Sequence, residues 1–252
     1  MELYLIRHGQ SQNNALEDTS ARTHDPALTE LGQQQAALLA AHLADGANRD
    51  PWVDHTTGYS RLEDTPTFGI TQLFVSPMRR ALQTAKPIAE ALGLQPEIWT
   101  SIHENGGIYL EQNGLFTGYP GMSRAEIAAE FPGYLIPDSI TDEGWYDLRK
   151  GHEPLGEAFA RAVSVAFELR HRAEQVMAGE NPHRRIALVS HGTYIDMLLK
   201  ALFNMVPARQ LYFMHYNTGF TRIDFLETER HRGRMLIRHV NRVAHLPPSL
   251  IS

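Results

Sequence analysis

The sequence predicts an α/β protein: a three-layer α/β/α sandwich built on a mixed, mostly parallel sheet, with a cap inserted into it. Three observations lead there. Short apolar runs at residues 3–6, 71–76 and 185–190 read as buried strands. Amphipathic segments at 31–43, 81–92 and 155–177 alternate with them, the pattern of helices packed on a parallel sheet. Two of the strands stop abruptly at a His-Gly pair, His8-Gly9 and His191-Gly192. Open α/β sheets bind their ligands at the carboxyl ends of strands.

Taken in order, the strand at 3–6 leads into a short helix over about 9–17. Thr29 is placed to cap a second helix, whose Leu31, Leu38, Leu39 and Leu43 share one face. Residues 47–70 are rich in Asp, Thr, Pro and Gly without a period, a loop length uncommon in a compact domain unless it functions or moves. Trp52 and Tyr59 are the side chains expected to pin it. After the strand at 71–76, Ala81, Ala85, Ile88, Ala89 and Leu92 form a helical face closed by Gly93. Pro87 should kink or divide that helix. A third strand is expected at 96–100. Residues 104–150 are irregular, except that Ser123 and Glu126 form a capping box opening a helix to about Phe131. A long helix then runs from Leu155 to Gly179, and a second apolar helix follows the strand at 185–190, over 196–203. The remainder alternates like antiparallel strands at 212–216, 219–226 and 234–240.

Length and composition fit a single domain over 1–252, with 104–150 as the inserted cap: 42% of the 252 residues are hydrophobic and 21% charged. The net charge of −6 supplies no global field for nucleic acid or an anionic membrane. With no cysteine, disulfides and zinc-thiolate sites are excluded. The first residues enter a strand directly and no run reaches a membrane span, so a cytoplasmic protein is expected. Monomer and homodimer both remain open.

If the strands ending at Ile6, Ser76 and Ser190 are neighbours, the imidazoles of His8 and His191 and two or three guanidiniums, from Arg7, Arg79 and Arg80, meet at one sheet edge. Cations are not crowded without a reason, because repulsion and desolvation both oppose it. A dianion is that reason, since guanidinium forks match phosphate oxygens and helix N-termini add donors. No Gly-x-x-x-x-Gly-Lys loop, Gly-x-Gly-x-x-Gly or His-Glu-x-x-His occurs, so neither a nucleotide cofactor nor a metal is expected. Of the other histidines, His231, His239 and His245 fall on different elements.

Together these blocks resemble the histidine phosphatase superfamily, in its phosphoglycerate mutase-like branch. The resemblance rests on Arg7-His8-Gly9-Gln10-Ser11-x-x-Asn14, Leu28-Thr29-Glu30-Leu31-Gly32, Ser76-Pro77-Met78-x-Arg80-Ala81-x-Gln83-Thr84-Ala85, Ser190-His191-Gly192 and His245-Leu246-Pro247, in the family's order. It implies that His8 is the nucleophile, Arg7 and Arg80 the phosphate arginines, His191 the second histidine and Glu104 the proton donor. Asn14 and Gly192 would complete the phosphate pocket. Two departures bear on the substrate rather than the chemistry. Gln10 stands where many members carry Glu, and residues 115–118, Leu-Phe-Thr-Gly, replace a frequent Trp-Glu-Gly.

The resemblance implies a metal- and cofactor-independent phosphatase, of the histidine acid phosphatase type, hydrolysing small phosphate esters through phosphohistidine. A phosphoglycerate mutase and a non-catalytic phosphate binder or scaffold are the alternatives. The segment 104–150 holds eight acidic side chains against Arg124, Arg149 and Lys150, which argues against a bisphosphorylated carboxylate and for an ester with apolar or aromatic parts. Its aromatics Tyr109, Phe116, Tyr119, Tyr134, Trp145 and Tyr146 could line the cleft or simply pack.

Overall fold

The computed structural model describes residues 1–50, 52–53, 60–61, 66–177, 184–207, 210–226 and 233–252, with backbone only at 52–53, 60–61 and 176–177. A six-stranded sheet forms its centre. In chain order the strands are β1 (Glu2–Arg7), the short pair β2 (Trp52–Val53) and β3 (Ser60–Arg61), β4 (Gln72–Val75), β5 (Glu97–Ile98), β6 (Tyr109–Gln112), β7 (Leu115–Gly118), β8 (Arg185–Ser190), β9 (Phe220–Leu226) and β10 (Arg234–Arg242). The central sheet has the order β10-β9-β1-β8-β4-β5. β1, β8, β4 and β5 are mutually parallel, β9 runs antiparallel to β1, and β10 runs antiparallel to β9. The helices are α1 (Gln12–Ala15), α2 (Glu30–Leu43), α3 (Arg79–Leu92), α4 (Arg124–Glu130), α5 (Leu155–Met177) and α6 (Gly192–Leu202).

Strand alternation produces the three layers. Tyr4 and Ile6 of β1 pack with Leu39 and Leu43 of α2 and with Ala81, Leu82, Ala85 and Ile88 of α3. Leu3 and Leu5 point the other way, toward Ala162, Leu169, Ile195 and Leu198 of α5 and α6. β8 divides likewise, Ala187 and Val189 against Ile186 and Leu188. Both faces of the strands are covered, which is why the runs read as continuously apolar.

Several local expectations hold. Thr29 caps α2, Ser123 and Glu126 form a reciprocal box at α4, and Gly93 ends α3 in the left-handed conformation with φ of 64°. Others need correction. α1 is one turn long, because Ser11 and Asn14 cap each other and the chain turns extended at Leu16. α3 runs undivided through Pro87. The third strand shrinks to two residues, β5. α6 starts at Gly192, directly after His191, rather than at Asp196. Residues 212–216 form no strand: Phe213 N–H donates to Asp196 Oδ1 and Tyr216 N–H to Asn241 Oδ1, so side chains take the place of a ladder. The expected helix end at Gly179, together with Tyr59 and His231, lies outside the described residues.

Residues 104–150 divide into two parts. Ile127, Phe131 and Ile140 are buried against the α2–α3 side of the sheet, Arg79 pairs with Glu130, and Tyr134 OH donates to Leu82 O. The other part is the β6–β7 hairpin. Its turn, Asn113-Gly114, has φ of 53° and 78°, the two positive values of a type I′ turn. Among the described residues no helix is long and apolar enough to cross a membrane.

Among the described residues five histidines are buried: His8, His103, His191, His215 and His245. Loss of hydration, the main cause in each, pushes His103 and His215 down to about 4, His245 to about 3, and His8 and His191 well below the ordinary 6.5. Between pH 6.5 and about 4 the unfolded chain therefore binds more protons than the folded one. Each such histidine removes on the order of 1 kcal/mol of stability per unit fall in pH across that window. Buried Asp25, raised to about 6, and Asp224, also raised, act oppositely but are only two groups. Denaturant unfolding should show a steep loss of stability from pH 6.5 to 4.5; a flat or rising profile would contradict neutral burial of these rings.

Candidate active site

The pairing register assembles the site. β1 and β8 align with Arg7 opposite Ser190, so His8 and His191 follow on adjacent strands. His8 N–H donates to Ser190 O at 2.9 Å, and Ser76 N–H, at the end of β4, donates to Val189 O at 3.0 Å. The imidazoles of His8 and His191 lie 5.1 Å apart between ring centroids. Arg80 arrives on the first turn of α3, and its Nε–H donates to His8 Nε2 at 3.1 Å. The three expected strand ends are therefore brought together.

His8 is fixed in one tautomer. Its Nδ1 lies 2.6 Å from Gly9 O, an acceptor only, so Nδ1 carries the proton and the Nε2 lone pair faces Arg80. Burial, reinforced by Arg80 and Arg7, disfavours the imidazolium. The backbone around it is clamped: Thr218 N–H and Asn217 Nδ2–H both donate to His8 O, and Gly9 N–H donates to Thr84 Oγ1. Gly9 can have no side chain here, because a Cβ would lie 2.5 Å from Gly32 O. That contact explains why the Leu28–Gly32 block accompanies the His8 block.

Two polar atoms at the site are buried with no partner among the described residues: Arg7 Nε and His191 Nδ1. Arg7 is anchored by NH1, which donates to His215 O at 2.6 Å, and His191 Nε2 lies 2.7 Å from Ser76 Oγ. Orphaned donors of this kind call for an acceptor, and an anion between them would supply it. Glu104 sits beyond, its oxygens accepting from Asn105 N–H and Tyr194 N–H at 2.9 Å and, more weakly, from Thr193 N–H at 3.4 Å. It thereby closes the N-terminus of α6 and acts electrostatically on both Arg7 and Arg80.

Arg7, His8, Asn14, Arg80, Glu104 and Gly192 all line one cavity of about 830 Å³. Asn14 reaches it while its Oδ1 accepts from Ser11. A Cβ on Gly192 would stand 3.4 Å from Arg7 Nε. Of the six aromatics singled out in residues 104–150, only Tyr109 lines the cavity. Tyr119 stacks on His24, Tyr134 packs with Phe131, and Trp145 and Tyr146 close on His103. Among the described residues no group of three or more His, Cys, Asp or Glu could hold a metal.

Sequence reasoning missed Asp25, Asn217 and His215. Asp25 is buried beside Arg80 NH1, 3.9 Å away, and accepts from Arg79 N–H at the start of α3. Nothing local marks it out. Asn217-Thr218-Gly219 reads as turn chemistry, but the partner of Asn217, His8 O just after β1, lies 209 positions away along the chain.

The family model of the histidine phosphatase superfamily (branch 1) matches residues 3–65 and 59–237. The chain belongs to that superfamily. Among its relatives, a probable phosphoglycerate mutase GpmB of Yersinia enterocolitica is 25% identical over 248 residues, covering 98% of this chain and 95% of the relative. The fold is shared with mycobacterial glucosyl-3-phosphoglycerate phosphatase at a TM-score of 0.55 and 22% identity, covering 95% and 98% of the two chains. A phosphoserine phosphatase of Entamoeba histolytica bound to 3-phosphoglyceric acid gives 0.54 and 19%, covering 98% and 99%. The silkworm ecdysone phosphate phosphatase bound to tungstate gives 0.59 and 14%, covering 98% and 93%.

Replacing Arg80 by Ala should move two observables. The His8 pKa rises toward 6.5, because a cation that opposes its protonation is gone, and orthophosphate binding weakens by about 10- to 100-fold, the worth of a charge-assisted contact of roughly 1.5–3 kcal/mol. NMR titration of the imidazole and calorimetric phosphate binding read both. An unmoved pKa with unchanged affinity would show that Arg80 does not form the anion pocket.

Proposed function

We propose that this superfamily member is a metal-independent phosphatase that hydrolyses small phosphate monoesters through phospho-His8. The observation that carries the reading is the imidazole itself: Nδ1 held by Gly9 O, Nε2 turned to Arg80, and the ring kept neutral by burial. A neutral, oriented lone pair beside guanidiniums is what nucleophilic attack on a phosphate dianion requires.

In the first step His8 Nε2 forms a bond to phosphorus as the ester P–O bond breaks. Arg80 Nε–H, which donates to Nε2 in the free protein, passes to a phosphoryl oxygen. Arg7 Nε–H takes a second oxygen. With Ser76 Oγ–H donating to His191 Nε2, His191 keeps its proton on Nδ1, the unpartnered atom, and Nδ1–H hydrogen-bonds a third. Charge spread over these oxygens in the transition state meets fixed donors, which stabilise it without reorganisation. Glu104 gives its proton to the leaving alkoxide. In the second step water attacks phosphorus, Glu104 takes the water's proton, and the N–P electron pair returns to Nε2. One ester and one water yield an alcohol and orthophosphate.

A mutase would share the first step and differ in what attacks phospho-His8. The relatives named probable phosphoglycerate mutase favour it. The cavity volume of about 830 Å³ favours water, since a mutase must exclude it. The site thus works on a small phosphorylated molecule, and a cytoplasmic setting is part of the same reading.

The first test is rapid-quench labelling. His8→Ala should abolish the acid-labile phosphoenzyme and turnover while orthophosphate still binds, and the wild type should keep its activity in excess chelator. Phosphoglycerate supplied with a trace of 2,3-bisphosphoglycerate should release phosphate; rapid isomerisation without release would establish the mutase. Undiminished phosphoenzyme in the variant would remove His8 from the mechanism.

The second test separates acid catalysis from positioning. Glu104→Gln should lower the phosphorylation rate about 10²- to 10⁴-fold for alkyl esters, the usual span of general acid catalysis. Aryl esters, whose leaving group needs no proton, should lose far less. Equal losses for both ester types would assign Glu104 a positioning role through its bonds to Thr193 and Tyr194.

A further inference from the structure

Beyond the phosphate-facing groups, the cavity is built unlike an ordinary small-molecule pocket. Such pockets are mostly apolar with a few polar groups that set orientation. Here the outer chamber has only Pro26, Met78, Leu110 and Met214 as apolar lining, Tyr109, Tyr212 and His24 being amphipathic. The rest is amides, hydroxyls and three charged side chains, contributed by the 13–24 segment, the β6–β7 hairpin and the start of α6.

Charge narrows the choice. Outside the proposed catalytic set the lining has Asp18 and Glu111 against Arg22. The remaining acids of residues 104–150 are elsewhere: Glu130 pairs with Arg79, Asp147 with Arg149, Glu126 caps α4 and Glu143 accepts from Thr141. Among the described residues the chamber is thus close to neutral, with no guanidinium pair to receive a second phosphate or a carboxylate.

Some of the polar lining is already committed, and some is not. Asn13 and Thr23 bond to each other, as do Asp18 and Ser20. The side chains of Gln112, Asn113 and Arg22 make no hydrogen bond among the described residues. Asn105 Oδ1 is buried and also unpartnered there. Donors and acceptors of both kinds therefore face the chamber, and a ligand that fills it must return both kinds.

We infer that the leaving group carried by the phosphate is an uncharged, polyhydroxylated one, a sugar or polyol, rather than an aromatic, alkyl or second anionic group. This rests on the phosphatase reading and deepens it. About 830 Å³ leaves room beside the phosphate for a hexose. Hydroxyls are both donors and acceptors, and so can satisfy Asn105 Oδ1, Gln112 and Asn113 together. A site built to bond hydroxyls rejects an analogue without them, because its own polar groups are then left unpaired.

The test compares four esters on the wild-type protein: a hexose 6-phosphate, cyclohexylmethyl phosphate as its hydroxyl-free counterpart, 3-phosphoglycerate, and p-nitrophenyl phosphate. The hexose phosphate should exceed both the carbocyclic ester and phosphoglycerate in kcat/KM by at least about 100-fold. Gln112→Ala should lower kcat/KM for the hexose phosphate several-fold more than for the carbocyclic ester. Equal or reversed preference, with phospho-His8 still forming from p-nitrophenyl phosphate, overturns this inference and leaves the phosphatase reading standing. Failure of every ester to form phospho-His8 overturns both.

Discussion

The parallel alignment of β1 on β8 is the constraint on which the site depends. With Arg7 set opposite Ser190, the next residue on each strand is a histidine at the same sheet edge. A slip of one residue would send every side chain of β1 to the other face. That register is specified strongly, because Leu3 through Ile6 and Ile186 through Val189 are all fully buried between two helical layers. Each such aliphatic or aromatic side chain contributes about 1.5–3 kcal/mol. Leaving one polar group unpaired costs about 1–3 kcal/mol, so the sheet can hold Arg7 Nε and His191 Nδ1 without partners. Imidazole neutrality follows from the same burial.

What was legible in the sequence were features whose cause is local or periodic. Runs buried on both faces marked β1, β4 and β8, and the capping residues Thr29, Ser123 and Gly93 did what their chemistry allows. The convergence of His8 and His191 with guanidiniums could be expected because strand ends in a parallel sheet share an edge, whereas Glu104 was singled out only by the family resemblance. What escaped had distant partners. Residues 212–216 look like a strand until Asp196 and Asn241 are brought near them. Asp25 has no local signature, and its proximity to Arg80 depends on how the loop before α2 meets α3. The Asn113-Gly114 turn is a different case: its signal was present, and the irregular surroundings concealed it.

The segment of residues 104–150 divides between the core and the cavity. Ile127, Phe131 and Ile140 are as deeply buried as the main core, so the greater part of it is fixed to the α2–α3 side. The β6–β7 hairpin is exposed instead and turns Tyr109 and Gln112 toward the cavity. Six of the eight acidic residues of the segment lie outside the cavity lining, so a charge tally along the sequence overstates the field a ligand meets. Local placement decides it.

The pairing of β1 also has a kinetic side. Its neighbours β8 and β9 join it at pairs such as Glu2 with Arg185 and Ile6 with Phe220, near opposite ends of the chain. Chain closure of that length comes late in folding and slows it. On a ribosome making roughly 5–20 residues per second, β1 would wait about 10–40 s for β8 to appear. Throughout that interval an apolar strand with two open edges is available to any other chain. The strand that leads into His8 is thus synthesised well before its partners and is among the last to find its place.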